Sequence, residues 1–377
     1  MKFLLSPNAL KGSLTAFEAA CAMQTGLERA RPDADTIAAP IADGGNGTLD
    51  CLASALHADY RTTIVKGPVG SFSVPAEWGI TPESRMAIIE MAQASGLHLV
   101  APGQLDVLHA TTAGVGELIR EAMNEGCTEI ILGLGGSATN DGGAGCLRAL
   151  GVRFLDEAGR EIPEGGAALA SCRSIDRTCM DARLEHTHFT VLSDVKNPLC
   201  GNEGASAVFG PQKGARAEDV RLLDKALLTY ASAIEHSTGR RVADIPGAGA
   251  AGGFGAGLLA FCPHVTFVSG IDFVLDALGF DLLLKECDAV LTSEGMIDEQ
   301  TTYGKAIAGL CTRARMYNKP VHAFVGRIEG DAGGICRALS LSSLTEISPR
   351  SMPHEEALRR ASELLADSVS AFAAKSA

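Results

Sequence analysis

The chain has 377 residues, 46% hydrophobic and 20% charged, enough for a sizeable buried core and too many for one core of ordinary size, so two domains are expected. With 45 acidic against 32 basic side chains its formal charge is −13, which repels nucleic acid and anionic lipid at long range and leaves any anionic substrate to be held by local groups. No stretch approaches the ~20 uninterrupted apolar residues that span a bilayer and no signal-peptide core precedes Pro7; the eleven cysteines lie singly without a CxxC pair, so a reduced, cytoplasmic chain with neither disulfide framework nor zinc site is expected.

Residues 2–6 read as a short apolar strand that meets Pro7 and a polar loop. Helical spacing follows at Phe17, Ala20, Cys21 and Leu27, with Ser13 or Thr15 available as N-cap. The scheme repeats as a strand over 36–42, a loop Asp43-Gly44-Gly45-Asn46-Gly47-Thr48 and a helix over 49–56. Three β-rich runs, 61–65, 71–78 and 86–91, are separated by Gly67-Pro68 and Thr81-Pro82, which predicts a meander. A helix is predicted over 111–123 and strands over 130–134 and 188–192; the Gly/Ala-rich 248–260 reads as a tightly packed helix start. The last third alternates again: strand 289–292, helix 305–317, strand 321–325 and a terminal helix 353–374. βαβ patterns at both ends predict an α/β fold of two domains. A parallel Rossmann- or flavodoxin-like domain is expected from 1–65 and 288–377, with a mixed-sheet α/β domain, 66–287, inserted between them.

Candidate chemistry sits at the strand ends. Gly133-Leu134-Gly135-Gly136-Ser137-Ala138-Thr139-Asn140-Asp141-Gly142-Gly143 follows a strand and precedes a helix, where backbone amides and the helix dipole bind anions. A plain sharp reversal is the competing reading; Ser137, Thr139, Asn140 and Asp141 favour a ligand site. The loop is neither a Walker A motif nor a GxGxxG dinucleotide fingerprint. Lys11, beside Ser13 and a helix start, suits an anionic group or is a solvated surface lysine. Asp43, Gly44 and Gly45 offer a carboxylate with exposed amides, or a tight turn. Asp194, at the end of a buried strand, can accept a hydroxyl proton or hold Mg²⁺, with helix capping as the alternative. Glu294 and Asp298, four apart and followed by Gly304-Lys305, fit metal or ribose binding, or form a surface ion-pair cluster. The histidines carry no metal assignment, and no GxSxG elbow is present.

Taken together, Ser6 to Ser13, Ala42 to Thr48, the Gly133 to Gly143 loop, Ser193 to Pro198, Gly204 to Gly214 (GASAVFGPQKG), Pro246 to Gly257 (PGAGAAGGFGAG) and Ser293 to Asp298 closely resemble the class I glycerate kinases, essentially over the whole chain. The resemblance implies ATP-dependent phosphorylation of D-glycerate with Mg²⁺, usually to 2-phosphoglycerate, by two α/β domains that close over a cleft. It implies small-molecule substrates, no nucleic acid and no membrane; pairing into a homodimer is left open. On that basis Asp194 is assigned as base or hydroxyl-orienting residue, Lys11 to the glycerate carboxylate or transferred phosphate, and the amides of Gly135 to Ser137 to a phosphate. Lys213 joins the phosphate-binding group, and Asp43, Asp141, Asp194 and Glu294 are the metal candidates. The sequence departs from the commoner family pattern at Asn8 (often Asp), Asn46 (often Glu), Ser293 (often Gly) and Met296 (often Arg). Those changes leave open another small hydroxy acid as acceptor, or a binding protein without turnover.

Overall fold

The computed structural model describes residues 1–101, 103–298 and 306–375. In chain order it runs β1 (Lys2–Leu5), α1 (Ala16–Ala30), β2 (Asp35–Ala38), α2 (Thr48–Leu56), β3 (Asp59–Lys66), β4 (Ser73–Ile80) and β5 (Met86–Glu90). The middle contributes α3 (Ala92–Ser95), α4 (Ala113–Asn124), β6 (Glu129–Gly133), α5 (Ala144–Ala149), β7 (Arg153–Leu155), β8 (Ser174–Asp176), β9 (His188–Leu192), α6 (Ala205–Phe209), α7 (Ala217–Thr238), α8 (Ala250–Phe261) and β10 (His264–Val268). The final third holds α9 (Gly270–Ala277), α10 (Phe280–Glu286), β11 (Ala289–Ile297), α11 (Ala306–Met316), β12 (Val321–Ile328), α12 (Ala332–Leu339), β13 (Ser343–Glu346), α13 (His354–Arg359) and α14 (Ala361–Lys375). Lys305, expected to open α11 and to follow the Glu294 loop with Gly304, lies outside the described residues.

The chain divides into two units, Met1–Asp43 with Asp50–Leu56 and Ile271–Ala377, and Gly44–Leu49 with His57–Gly270. The boundaries differ from those expected because β3 pairs with β4 in the second unit's sheet, while Ile271 to Leu284 of α9 and α10 pack into the first unit's core. The short segment Gly44–Leu49 also belongs to the second unit.

The first unit is built on an all-parallel sheet of order β13-β12-β11-β1-β2, the flavodoxin-like arrangement in which the strand order reverses at β1. Its central strands carry apolar runs at 3–5, 289–291 and 323–325 because both faces are covered there. Leu4, Val290 and Val325 point into a core with α9, α10, α11 and α12. Phe3, Leu5, Leu291 and Phe324 point into the opposite core with α1 and α14. Phe3, Leu4 and Leu5 are fully buried, each contributing about 2 kcal/mol relative to exposure. Thr15 is the N-cap of α1, in a capping box where its Oγ1 accepts from Glu18 N at 3.1 Å and its N–H donates to Glu18 Oε2 at 2.8 Å. The expected single terminal helix is two, α13 and α14, meeting at Arg360.

The second unit carries a mixed sheet of order β10-β9-β6-β5-β4-β3. β5, β6, β9 and β10 are parallel, and β4 runs antiparallel between β5 and β3, which makes the expected meander. Trp78, Ile89, Leu132 and Val191 lie in one core with α4 and α8. A second core gathers α7, the β7–β8 pair and part of α8. α8 is broken at Ala251, Gly252 and Gly253, all in left-handed backbone. Gly252 has φ +69°, and a Cβ there would stand 2.1 Å from Thr139 O, so this break lets the Gly-rich loop after β6 lie against the helix.

Candidate active site

In the second unit the carboxyl ends of β6 and β9 are bridged by the segment that begins at Gly44. Gly135 N donates to Gly44 O at 3.0 Å, and a Cβ on Gly135 would meet Gly45 Cα at 2.4 Å. Gly44 sits equally close to the end of β9, where a Cβ would meet Leu192 O at 2.7 Å. Gly44 and Gly135 therefore have no room for side chains, and they bring the two loops within a few residues of Asp194, whose side chain is exposed beyond Leu192. Glu90, buried at the end of β5, accepts Leu49 N at 2.6 Å near the start of α2.

Beyond Gly135 the loop turns outward. Gly136 is exposed with φ +75°, and its carbonyl accepts Leu97 N at 2.9 Å. Among the described residues the amides of Gly136 and Ser137 donate to no protein acceptor. The expectation that Gly135 also offers its amide to a phosphate is corrected, since Gly44 O takes it. Behind the loop lies Lys213, 2% exposed, whose ammonium donates to Ser137 Oγ at 2.8 Å and to Thr139 O at 2.7 Å. Burial pushes its pKa down to about 7, against an opposing pull from Asp141. Lys213 thus reaches any anion on the Gly136 and Ser137 amides through Ser137 rather than directly.

Asn140 and Asp141 do not face solvent. Asn140 is fully buried and donates from Nδ2 to Ser206 Oγ at 2.9 Å. Asp141 is fully buried, with Oδ2 accepting from Thr112 N at 2.8 Å, Thr112 Oγ1 at 2.8 Å and Gly145 N at 3.1 Å, and Oδ1 accepting from Gly143 N at 3.1 Å. Desolvation raises its pKa, and these donors oppose the rise. Asp141 as a Mg²⁺ or substrate ligand is therefore corrected: both oxygens are taken by the start of α5 and the residues before α4, which makes it an internal bracket.

In the first unit Lys11, Ser13 and Glu294 line one cavity of about 400 Å³ at the carboxyl edge of the sheet. Ser13 Oγ donates to Leu10 O at 3.0 Å, closing the loop after β1, and Ser293 Oγ donates to Asn8 O at 3.1 Å, tying that loop to β11. Glu294 is 9% exposed; Arg327, in register with Met296 on the next strand, reaches Glu346 at 3.3 Å. Asp43 is half-buried at the end of this unit's first segment, and Asp298, also half-buried, follows β11 outside the cavity lining. Arg327, Glu329, Ser348 and His354 share the cavity and were not singled out from the sequence; the signal available was Gly326-Arg327 at the end of the 321–325 run.

Among the described residues no group of three or more His, Cys, Asp or Glu side chains is placed to hold a metal ion, and no helix is long and apolar enough to cross a membrane. A nucleotide-borne Mg²⁺ asks for only one or two protein carboxylates beside phosphate oxygens and water. With Asp141 committed elsewhere, Asp43 and Glu294 meet that donor requirement in the first unit.

A model of the glycerate kinase family matches residues 3–376. A protein of Halalkalibacterium halodurans named glycerate kinase is 43% identical over 96% of this chain and 94% of its own length. One of Escherichia coli named glycerate 2-kinase is 44% identical over 88% of this chain and 87% of its own. A crystal structure from Salmonella typhimurium LT2, named as a glycerate kinase 2, superposes with a TM-score of 0.82 at 43% identity, covering 100% of this chain and 98% of that one.

Proposed function

Because the chain belongs to the glycerate kinase family and is a kinase by that membership, we propose that it transfers the γ-phosphoryl group of ATP to the 2-hydroxyl of D-glycerate. The supporting observation within the chain is the pair of amides at Gly136 and Ser137, backed by the buried ammonium of Lys213. Such a cradle neutralises a small anion without a bulky side chain in the way, and phosphoryl transfer depends mostly on positioning and charge neutralisation. In this reading the cradle holds the glycerate carboxylate. The hydroxyl next to that carboxylate is the 2-hydroxyl, so the acceptor oxygen lies one carbon from the anchored group. Asp194, at the neighbouring strand end, orients the hydroxyl and takes its proton at a carboxylate oxygen as the oxygen–phosphorus bond forms and the bond from the γ-phosphorus to the bridging oxygen breaks, that oxygen leaving with ADP.

Lys11, in the first unit, suits the phosphate of ATP. Mg²⁺, held through Asp43, would neutralise phosphate charge. We place the reaction in the cytoplasm, with ATP as donor. The departure at Met296 fits the same scheme, because Met296 is assigned neither to the hydroxyl nor to the cradle; Asn46 borders the cradle, its Oδ1 lying 2.4 Å from where a Cβ on Gly136 would stand.

The test is a coupled assay of ADP release with ATP, Mg²⁺ and D-glycerate, followed by phosphorus NMR of the product. Glycerate-dependent ADP release with phosphate on the 2-oxygen is expected. Release with another small hydroxy acid but not D-glycerate would reassign the acceptor, and binding without release would remove the kinase reading.

A further inference from the structure

We infer that the cavity at the carboxyl edge of the first unit's sheet is a purine nucleoside subsite, taking the adenosine end of a nucleoside di- or triphosphate. This rests on the phosphoryl-transfer reading above and adds to it the part of the chain that holds the nucleotide. Three observations within that unit support it. The first is size: about 400 Å³ lies within the range of pockets that enclose nucleotide-sized ligands, and a three-carbon hydroxy acid would fill only a small part of it.

The second is composition. Leu10, Ile347 and Leu358 give the lining apolar surface suited to a flat heteroaromatic ring, which a small polyhydroxy acid has no means to use. Glu294, Lys11 and Arg327 line the same cavity. A carboxylate at a strand end accepts from ribose hydroxyls, and two cations suit the phosphate chain. A lining that joins apolar side chains with a carboxylate and two cations is the chemistry of a nucleotide, apolar at the base and polyanionic at the tail.

The third is position. The sheet order reverses at β1, and the cavity is lined by the loop after β1 together with the ends of β11 and β12. Open parallel sheets bind ligands in the crevice outside the carboxyl ends of their strands where the order reverses, because adjacent loops part there. Lys11 comes from the first such loop, and Glu294 from the strand paired beside β1.

The experiment is titration of the full chain with ADP alone, with steady-state kinetics run in parallel on the wild type and on Leu358→Trp and Glu294→Gln. Leu358→Trp fills the apolar side and is expected to weaken ADP binding and raise the KM for ATP by at least about tenfold, leaving the KM for glycerate within about twofold. Glu294→Gln keeps the volume and is expected to weaken ADP binding while bringing its affinity level with that of 2′-deoxy-ADP, which keeps the test decisive if the tryptophan variant does not fold. Wild-type ADP affinity in both variants, or a raised KM for glycerate with an unchanged KM for ATP, overturns the inference. ADP binding that is lost in the variants, in a chain that shows no glycerate-dependent turnover, upholds the subsite and removes only the assigned acceptor.

Discussion

Lys213 is a cation held out of water with neutral partners. Its ammonium has Ser137 Oγ and Thr139 O as acceptors and makes no ion pair among the described residues. Burial lowers its pKa from 10.5 to about 7. Between those two values the unfolded chain holds a proton that the folded chain has released, so raising the pH through that window stabilises the fold, and below pH 7 the slope disappears because both states are protonated. Urea unfolding of wild type and Lys213→Met at steps from pH 6.5 to 10 should therefore show wild-type stability rising relative to the variant; parallel curves would mean the lysine stays charged when folded. Asp141 is the converse case, a buried carboxylate serving four donors. Asp141→Ala strands the N–H groups of Thr112, Gly143 and Gly145 in the interior and should cost about 3 kcal/mol or more, read as a lower urea midpoint. In the sequence Asp141 and Asp194 look alike, each an acid in a loop after a buried strand. Only the fold separates them, because burial depends on what packs over the loop, and here the cover is the broken helix α8, far along the chain.

At the level of elements, the two glycine loops work as one object. Gly135 N to Gly44 O is the backbone bond between them, and the missing Cβ of Gly135 is what lets it form. Gly135→Ala pushes the loop off Gly45 and so displaces the Gly136 and Ser137 amides at its tip. Since misplacement of about 1 Å can cost on the order of a hundredfold in rate, kcat/KM for glycerate should fall roughly hundredfold while circular dichroism stays that of the wild type. Near-normal kinetics would show that these amides do not meet substrate. Strands were legible where a run of apolar residues met a turn: His188 to Leu192 stands as its spacing predicts. The 22-residue α7 was not read, because its apolar positions Leu223, Leu227 and Ile234 lie thinly among charged neighbours and its burial is supplied by the β7–β8 pair and α8. β13, half-buried at the sheet edge and four residues long, left too short a pattern to register. The site was legible as loops and not as a cavity, since Arg327 and Leu358 come to Lys11 only through strand pairing and the start of the terminal helices.

For the whole molecule the governing fact is that each unit has its own pair of apolar cores, Leu4 and Phe3 heading those of the first and Trp78 and Phe154 belonging to those of the second. Chains of this size with separate cores depart from all-or-none unfolding, so native-state hydrogen exchange should resolve two protection levels rather than one. The nucleoside subsite turns that into a directional test. A ligand stabilises what it binds by RT ln(1 + [L]/Kd), about 2.7 kcal/mol at a hundredfold excess over Kd. Saturating ADP should therefore slow exchange roughly hundredfold in β1, β11 and β12, whose ends line the cavity. D-glycerate should instead protect β6 and β9, whose ends carry the amide cradle and Asp194. If ADP protected β6 and β9 and left β1 unchanged, the nucleotide would belong on the glycine loop, and the two substrates would have to exchange places in the proposed scheme.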